Sequence, residues 1–309
     1  MPLRFSLRQL EYFQAVADYG SISAASAQVN VSSPSISAAI AQLEDEFALQ
    51  LFVRKHAHGL SLTPGGRVFL EQARKVLAEC STLIALANDV TKKVRGPLNV
   101  GCLLTFAQFL LPQLRKGFVT AHPDVVFRQF ERTQTDLFEG LRNASLDVAL
   151  TYDLNIPADL TFKPLVRLPP YALFADHHPL ARHDSVTPKE LLPHPMVLLD
   201  LPGSADYFLS FFGKRDGKPN IVERTRDMAV MQSLVGNGIG YSLANIRPPF
   251  PRAPDGKLLR YVPLKGALRP MQLGVLLAGG AKPTLTIRAF YEHCSRFVAA
   301  MPKPGPLAA

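Results

Sequence analysis

Between Thr63 and Gly96 one apolar interval recurs without a break. Phe69, Ala73, Val76, Cys80, Leu83, Ala87, Val90 and Val94 are spaced 4, 3, 4, 3, 4, 3, 4, the a/d seam of a coiled coil. Thr63-Pro64 is a cap-then-proline helix opening, and Gly96-Pro97 is a helix stop. At 1.5 Å per residue, roughly 30 residues span about 45 Å, too long and narrow for a helix inside one globular core. The seam therefore divides the chain into a short segment before it and 213 residues after position 96. It predicts a dimerisation helix over 63–96. Packing of the same stripe along its own domain is the alternative that the spacing leaves open.

The segment before it reads as three helices and a hairpin. Ser6 with Gln9 is a capping-box pattern, followed by Leu10, Phe13, Val16 and Ala17 at helical spacing, and Gly20 ends the run. A short helix from about Ser23 carries Ala24, Ala25 and Ala27, small enough for another helix to cross closely. After Asn30-Val31-Ser32, Ser32 or Ser33 caps a third helix with Pro34 in its first turn. Ile36, Ile40, Leu43 and Phe47 share one face of that helix, and the opposite face begins with Ser35, Ala38 and Gln42. Helix, short helix, tight turn and helix predict a helix-turn-helix, although a plain three-helix bundle has the same pattern. In LFVRKHAHGLSLT, Leu51 and Phe52 lead into the basic tip Arg54-Lys55-His56, and Leu60 alternates with Leu62 after Gly59. That is a β-wing beside a helix-turn-helix, or an ordinary surface hairpin if the context is different.

From residue 97 the pattern changes to strands alternating with helices. Strands are expected at 98–102, 125–131, 147–150, 171–175, 196–199, 220–222, 239–243 and 271–277. Helices are expected at 106–119, 134–143, from Ser204, at 227–236 and at 284–299. This predicts an α/β region with mainly parallel strands, long enough for two lobes with a ligand cleft between them. The expected division is a DNA-binding domain over 1–62, the linker helix over 63–96, lobe I over 97–165 with 268–300, lobe II over 166–267, and a disordered proline-rich tail over 301–309.

Composition excludes several classes. Hydrophobic residues are 47% and charged residues 19% of 309, which fits a globular chain and not a disordered or collagen-like one. No run of 18 apolar residues suggests a membrane span. Arg4, Arg8 and Glu11 stand where a signal peptide needs an apolar stretch. Cys80, Cys102 and Cys294 form no CxxC and cannot all pair, as in a reducing cytoplasm. Residues 1–95 hold ten Lys and Arg against eight Asp and Glu, so most of the net +9 lies beyond the expected DNA-binding segment. Net charge is thus a weak argument for nucleic acid here.

The ordered motifs carry a resemblance. The Ser-x-Pro-Ser-Ile-Ser opening at 32–37, Leu43-Glu44, Leu51-Phe52-x-Arg54 and Leu62-Thr63-Pro64-x-Gly66 resemble the LysR-type transcriptional regulators over the first 70 residues. LDVAL at 146–150 and GNGIGYSL at 236–243 extend the resemblance more weakly to about residue 300. It implies a winged helix-turn-helix, a coiled-coil linker helix and a two-lobed periplasmic-binding-protein-like (type 2) effector domain. It also implies a dimer of dimers on a double-stranded DNA operator, small-molecule control, RNA polymerase as a further partner, and neither catalysis nor a cofactor. Members often carry Gln before this proline and Arg four residues after it. Here those places hold Ser33 and Ala38, so operator preference does not transfer.

With short side chains, Ser23, Ser32, Ser33, Ser35 and Ser37 reach phosphates or base edges only at close approach. Pro34 and Ala38 suit thymine methyls, and Gln42 is a longer polar reader. Recognition is therefore expected to rest on DNA shape and on the wing, with Arg54 as the main wing contact. Lys55 and His56 support it, or are solvated loop charge. In the α/β region, the resemblance places the effector at Thr105 and Phe106, where helical N–H groups favour an anion. Thr133 is expected to face the same cleft, opposite Leu201, Pro202, Gly203 and Ser204, which begin another helix. Met228 and Tyr241 are expected walls, or core. A carboxylate-type effector would bridge the two helix starts. Asp176, His177, His178, His183 and His194 lack the spacing of a metal site. Cys102 has no local redox partner, and no GxSxG, P-loop or GxGxxG occurs. Two classes stay open: a ligand-gated DNA-binding regulator, and an α/β solute-binding or enzymatic module whose N-terminal helices only dimerise. A pure dimeriser needs no wing, which favours the regulator.

Overall fold

The computed structural model describes residues 4–55, 59–213, 217–248, 250–280 and 282–300. The chain forms two compact units, the first running to Lys93 and the second from Val94 on, with only the turn Asn143–Ser145 grouped with the first. His56, part of the expected wing tip, and the expected tail over 301–309 lie outside the described residues, as does the side chain of Lys55.

The first unit contains α1 (Leu7–Tyr19), α2 (Ile22–Val29), α3 (Ser33–Phe47), β1 (Phe52–Lys55), β2 (Gly59–Leu62) and α4 (Pro64–Thr91). Each helix starts on a hydroxyl cap. Ser6 and Gln9 form a reciprocal capping box on α1, and Ser21, Ser32 and Thr63 cap α2, α3 and α4. The three helices close over Phe13, Val16, Ala25, Ile36 and Leu43, all of them buried. β1 pairs antiparallel with β2 in the register Phe52 to Leu62. The motif residues have structural reasons. Glu44 accepts the N–H groups of Leu51 and Phe52 at 2.7 and 3.2 Å, fixing where the wing leaves α3. Thr63 caps Gly66 and also donates to Gln50 O at 2.7 Å. A Cβ at Gly66 would stand 2.1 Å from Leu51 O, so only glycine lets the start of α4 close onto that strand.

The linker helix differs from expectation at both ends. Ala73 is buried and Phe69 half-buried in the first unit's own core, where Phe69 meets the rings of Phe13 and Phe47 edge-on at 5.5 and 4.8 Å. The early seam positions are therefore used within the domain, because α1 and α3 supply the facing aromatics. At the other end α4 stops at Thr91, with Lys92 in the left-handed conformation. Val94 is not in the helix; it packs on the core of the second unit. Between these ends, Val76, Leu83, Ala87 and Val90 are exposed and Cys80 is half-buried, with Ile84 alongside.

The second unit contains, in order, β3 (Gly96–Leu103), α5 (Leu104–Ala121), β4 (Val125–Arg132), α6 (Gln134–Arg142), β5 (Val148–Tyr152), β6 (Leu160–Leu168), β7 (Tyr171–Ala175), α7 (Pro188–Leu191) and β8 (Pro195–Leu199). After these come α8 (Ser204–Leu209), β9 (Asn220–Thr225), α9 (Met228–Gly236), β10 (Ser242–Ala244), β11 (Leu259–Pro263), β12 (Met271–Ala278) and α10 (Leu285–Ala299). Lobe I is a five-stranded sheet in the order β4-β3-β5-β12-β6. In lobe II, β10-β7-β11 and β8-β9 are joined through a parallel bridge from Met196 to Tyr241. The chain passes from lobe I to lobe II at Pro169-Pro170 and returns between Pro263 and Met271. The expectation of mainly parallel strands is corrected. β3 runs parallel to β4 and β5, and β8 to β9, but β12 is antiparallel to both its neighbours and β7 to both of its own. A chain that leaves a lobe and re-enters it as a single strand can insert that strand in either direction. α10 returns to lobe I, where Phe290 meets Phe118 at 5.2 Å and Cys294 is buried.

Candidate functional site

Two surfaces gather the expected residues, one in each unit. In the first, Pro34, Ser35, Ser37, Ala38 and Gln42 are exposed along α3, while Ile36, Ile40 and Leu43 face inward. Ser33 is half-buried in the first turn, Ser23 is exposed at the start of α2, and Arg54 is exposed on β1. The hydroxyls of Ser32 and Ser35 bond each other at 2.8 Å while Ser32 caps the helix, so one of the two hydroxyl hydrogens is engaged and the other is left to donate. Gln42 is ordered from behind. Gln9 Nε2 donates to Gln42 Oε1 at 2.8 Å, and Gln9 Oε1 is itself held by Ser6 N at 2.7 Å. One acceptor position of Gln42 Oε1 is thus taken, and its N–H groups make no hydrogen bond among the described residues. Sequence spacing placed Gln42 on this face but gave no sign of Gln9 behind it.

In the second unit a cleft of about 450 Å³ lies between the lobes. Its lobe I wall is α5 with the end of β4: Leu104, Thr105, Ala107, Gln108, Leu111, Pro112, Gln129 and Glu131. Its lobe II wall is Leu201 with Arg226, Asp227, Met228 and Ala229. Gln108 Nε2 approaches Met228 Sδ at 3.7 Å, which joins the two walls.

The helix ends at this cleft are not equivalent. α5 follows Leu103, which supplies no side-chain cap, so its first N–H groups keep the partial positive charge of a helix start. α9 is capped by Asp227, whose Oδ1 accepts from Ala229 N and Val230 N at 2.7 and 3.1 Å. That carboxylate already satisfies the start of α9, whereas the start of α5 has no side-chain cap. Thr105 is 4% exposed, and its hydroxyl has no hydrogen-bond partner of ordinary geometry. The phenol of Tyr152 lies beside it. Burial pushes that phenol well up, and the threonine hydroxyl holds it back slightly.

Several expected positions fall elsewhere. Phe106 is fully buried against Tyr152, with ring centroids 5.1 Å apart, so its side chain is core and only its backbone belongs to the start of α5. Tyr241 is fully buried in the lobe II sheet, its unpartnered hydroxyl pushed up by burial, and it does not line the cleft. The parallel bridge to Met196 draws it inward. Thr133 does not reach the main cleft. Its hydroxyl donates to Asp136 Oδ2 at 2.7 Å and accepts from Asp136 N, which commits it to starting α6. With Leu201, Pro202 and Ser204 it lines a small neighbouring depression of about 10 Å³. Gly203 has φ +76° and sits next to Gln134. Leu201 and Met228 do line the main cleft.

The sequence reading missed Gln108, Gln129, Glu131 and Arg226. Glu131 ends β4, and Arg226 follows the end of β9. Ligands of α/β sheets sit at the carboxyl ends of the strands, and that rule applied to the expected strand 125–131 would have found Glu131, whereas the expected strand 220–222 stops short of Arg226. Cys102 and Cys294 are fully buried, and burial pushes both thiols up, Glu131 adding to the effect at Cys102. Asp176 pairs with Arg260 at 2.7 Å, and His178 stacks on Phe174 with its ring 4.7 Å from that of His194.

Comparison with known proteins agrees with this architecture. Residues 7–67 match the family described as bacterial regulatory helix-turn-helix protein, lysR family, and residues 91–299 match the LysR substrate binding domain. The transcriptional activator protein LysR of Escherichia coli is 27% identical over 256 residues, covering 82% of each chain. The HTH-type transcriptional regulator CysB of Haemophilus influenzae is 28% identical over 244 residues, covering 77% of this chain and 74% of that protein. The crystal structure of HinK, a LysR family transcriptional regulator from Pseudomonas aeruginosa, superposes with a TM-score of 0.65 at 31% identity, over 95% of this chain and 98% of that one. A helix-turn-helix domain followed by a two-lobed substrate-binding domain, each matched along its length, makes this chain a member of the LysR family of transcriptional regulators.

Proposed function

We propose that this regulator binds a two-part operator as a dimer of dimers in the cytoplasm, and that an anionic, carboxylate-type effector in the interlobe cleft controls its action on RNA polymerase. The observation that carries the effector reading is the contrast between the uncapped start of α5 and the start of α9, already satisfied by Asp227. The anion sits on the α5 N–H groups beside Thr105, and the lobe II wall closes over it. Closure that stabilises one lobe angle shifts the population of effector-domain arrangements, and so the spacing of DNA-binding domains on the operator. Such coupling is typically about 1–3 kcal/mol. On the DNA side, α3 supplies Pro34, Ser35, Ser37, Ala38 and Gln42, and β1 supplies Arg54.

The test is to sequence the genomic fragments that the purified protein retains at near-physiological salt, with an Arg54→Ala/Ser35→Ala variant alongside. A few enriched sites with dyad symmetry, lost in the variant, are expected. Uniform, salt-sensitive retention by both proteins would leave only charge-driven binding and refute the assignment of these readers. Thr105→Val is expected to weaken the effector response. If DNA binding vanished with it, Thr105 would be a folding residue and the pocket assignment would fail.

A further inference from the structure

We infer that the effector is dipolar, carrying an ammonium group beside its carboxylate, and that Glu131 is the residue that reads the ammonium. The inference rests on the cleft assignment above and narrows it to a ligand class of α-amino-acid type.

Glu131 lies at the carboxyl end of β4 and lines the same lobe I wall as Thr105 and Gln108. Its carboxylate is exposed but not loose. Gln129 Nε2 donates to Glu131 Oε1 at 3.0 Å, and Arg115 Nη1 donates to Gln129 Oε1 at 3.0 Å. The arginine takes the amide oxygen, which turns the amide nitrogen toward the glutamate. Arg115 is in turn placed by the ring of Phe127, 5.9 Å from its guanidinium carbon. Three ordered side chains thus hold one carboxylate at the cleft, the kind of supporting shell that binding groups need. Among the described residues no Lys, Arg or His forms an ion pair with Glu131. Arg226, on the opposite wall, makes no ion pair with it either. Among the described residues no cation thus pairs directly with Glu131, Arg115 reaching it only through Gln129, and the buried Cys102 thiol next to it feels its charge.

An effector with anionic groups alone would place like charges together here, since β4 and β3 are paired at Glu131 and Cys102, two residues before α5 begins. One that carries an ammonium next to its carboxylate finds both signs on one wall. The helix start takes the carboxylate and Glu131 takes the ammonium through charge-assisted hydrogen bonds. Leu104, Leu111 and Met228 give the rest of the cleft an apolar lining, and its volume lies within the roughly 300–1,000 Å³ usual for small-ligand pockets. That leaves room for a side chain, with Arg226 available to a polar end.

The experiment uses the full chain, with thermal shift followed by calorimetric titration. The probes are the proteinogenic L-amino acids singly, the N-acetyl and primary-amide derivatives of each one that binds, and succinate and benzoate as anions without ammonium. At least one free amino acid is expected to bind, with affinity lowered about tenfold or more by N-acetylation, by amidation, or by Glu131→Gln. Glu131→Asp is expected to recover part of the loss. The unliganded melting temperature of each variant shows whether it is folded. Failure of every amino acid to bind overturns the inference. So does an N-acetyl derivative that binds as tightly as its parent, or binding that Glu131→Gln leaves unchanged in a folded protein. Succinate or benzoate binding that depends on Thr105, with no amino acid bound, overturns the dipolar inference while the anionic cleft reading stands.

Discussion

Gln42 offers a nucleic-acid partner its N–H groups and one remaining acceptor position, because Gln9 occupies one lone pair of its carbonyl oxygen. An amide held this way is biased toward acceptors, such as guanine O6 and N7 or thymine O4, over the two-way pairing with adenine that a free amide makes. Gln42→Ala is expected to weaken binding by about 1–3 kcal/mol at one base pair and to relax preference there. Gln9→Met removes the restraint without removing the reader. It should broaden base preference at that position, with a smaller loss of affinity. Titration of a set of single-base operator variants at constant salt checks both. Equal losses across all variants would make Gln42 a phosphate contact instead. At this scale the sequence was half legible. Helical spacing put Gln42 on the outer face, but the bond from Gln9 joins residues 33 positions apart, a pairing that no local pattern encodes. Glu131 was hidden for a different reason: a charged residue at a strand end is also what a solvated edge looks like.

The middle of α4 carries Val76, Leu83, Ala87 and Val90 in one exposed stripe, Leu83 at 68% and Val90 at 77% accessibility. Burying such side chains contributes about 1.5–3 kcal/mol each, and contiguous exposed apolar stripes of this kind mark association sites, the role that the proposed dimer gives this one. Leu83→Glu is expected to lower the oligomeric state at micromolar protein, measured by sedimentation velocity, with the helical circular dichroism nearly unchanged. An unaltered sedimentation profile would exclude this stripe from the interface. The heptad spacing revealed the helix but not its division of labour. Phe69 and Ala73 follow the same interval as Leu83, yet their partners are α1 and α3. Other elements escaped sequence reading for physical reasons. β6 is an edge strand with Pro164 inside it and a register shift opposite Leu273 and Gly274, and proline is tolerated in such strands only because one side needs no ladder bonds. β11 is the other unread strand, on the edge of the lobe II sheet, with Arg260 and Pro263 breaking its apolar pattern.

At the scale of the whole molecule, the two lobes are tied where the chain crosses between them. The Tyr207 hydroxyl donates to Arg269 O at 2.8 Å and accepts from Asn245 Nδ2 at 3.1 Å, and Asn245 Nδ2 also donates to Leu168 O at 2.9 Å. One phenol thus links α8 to both crossovers. Tyr207→Phe leaves Arg269 O without this donor and is expected to destabilise the protein by about 1–3 kcal/mol, read by urea unfolding. It should also change the effector affinity, which a residue with a merely local packing role would not do. Acid acts on the molecule in part through His178. Burial, reinforced by His194 and His177, pushes its imidazole from 6.5 down to about 4, and its Nδ1 accepts from Leu180 N. Between those values the unfolded chain holds a proton that the native chain refuses, so stability falls as pH drops from about 6.5 to about 4. Urea midpoints at pH 7 and pH 5 should therefore lie closer together for His178→Gln than for the parent protein. An equal gap would mean that His178 does not set the acid response.

The three cysteines differ in reach: Cys102 and Cys294 are sealed in the lobe I core, and Cys80 is half-buried on the stripe of α4. A maleimide dye added to the native protein should therefore attach about once per chain, and if the proposed dimer covers the stripe the attachment should slow as protein concentration rises. The natural thiol pattern makes the protein its own gauge of assembly, with no engineered label. A second equivalent reacting under native conditions would report something else, the transient opening of lobe I.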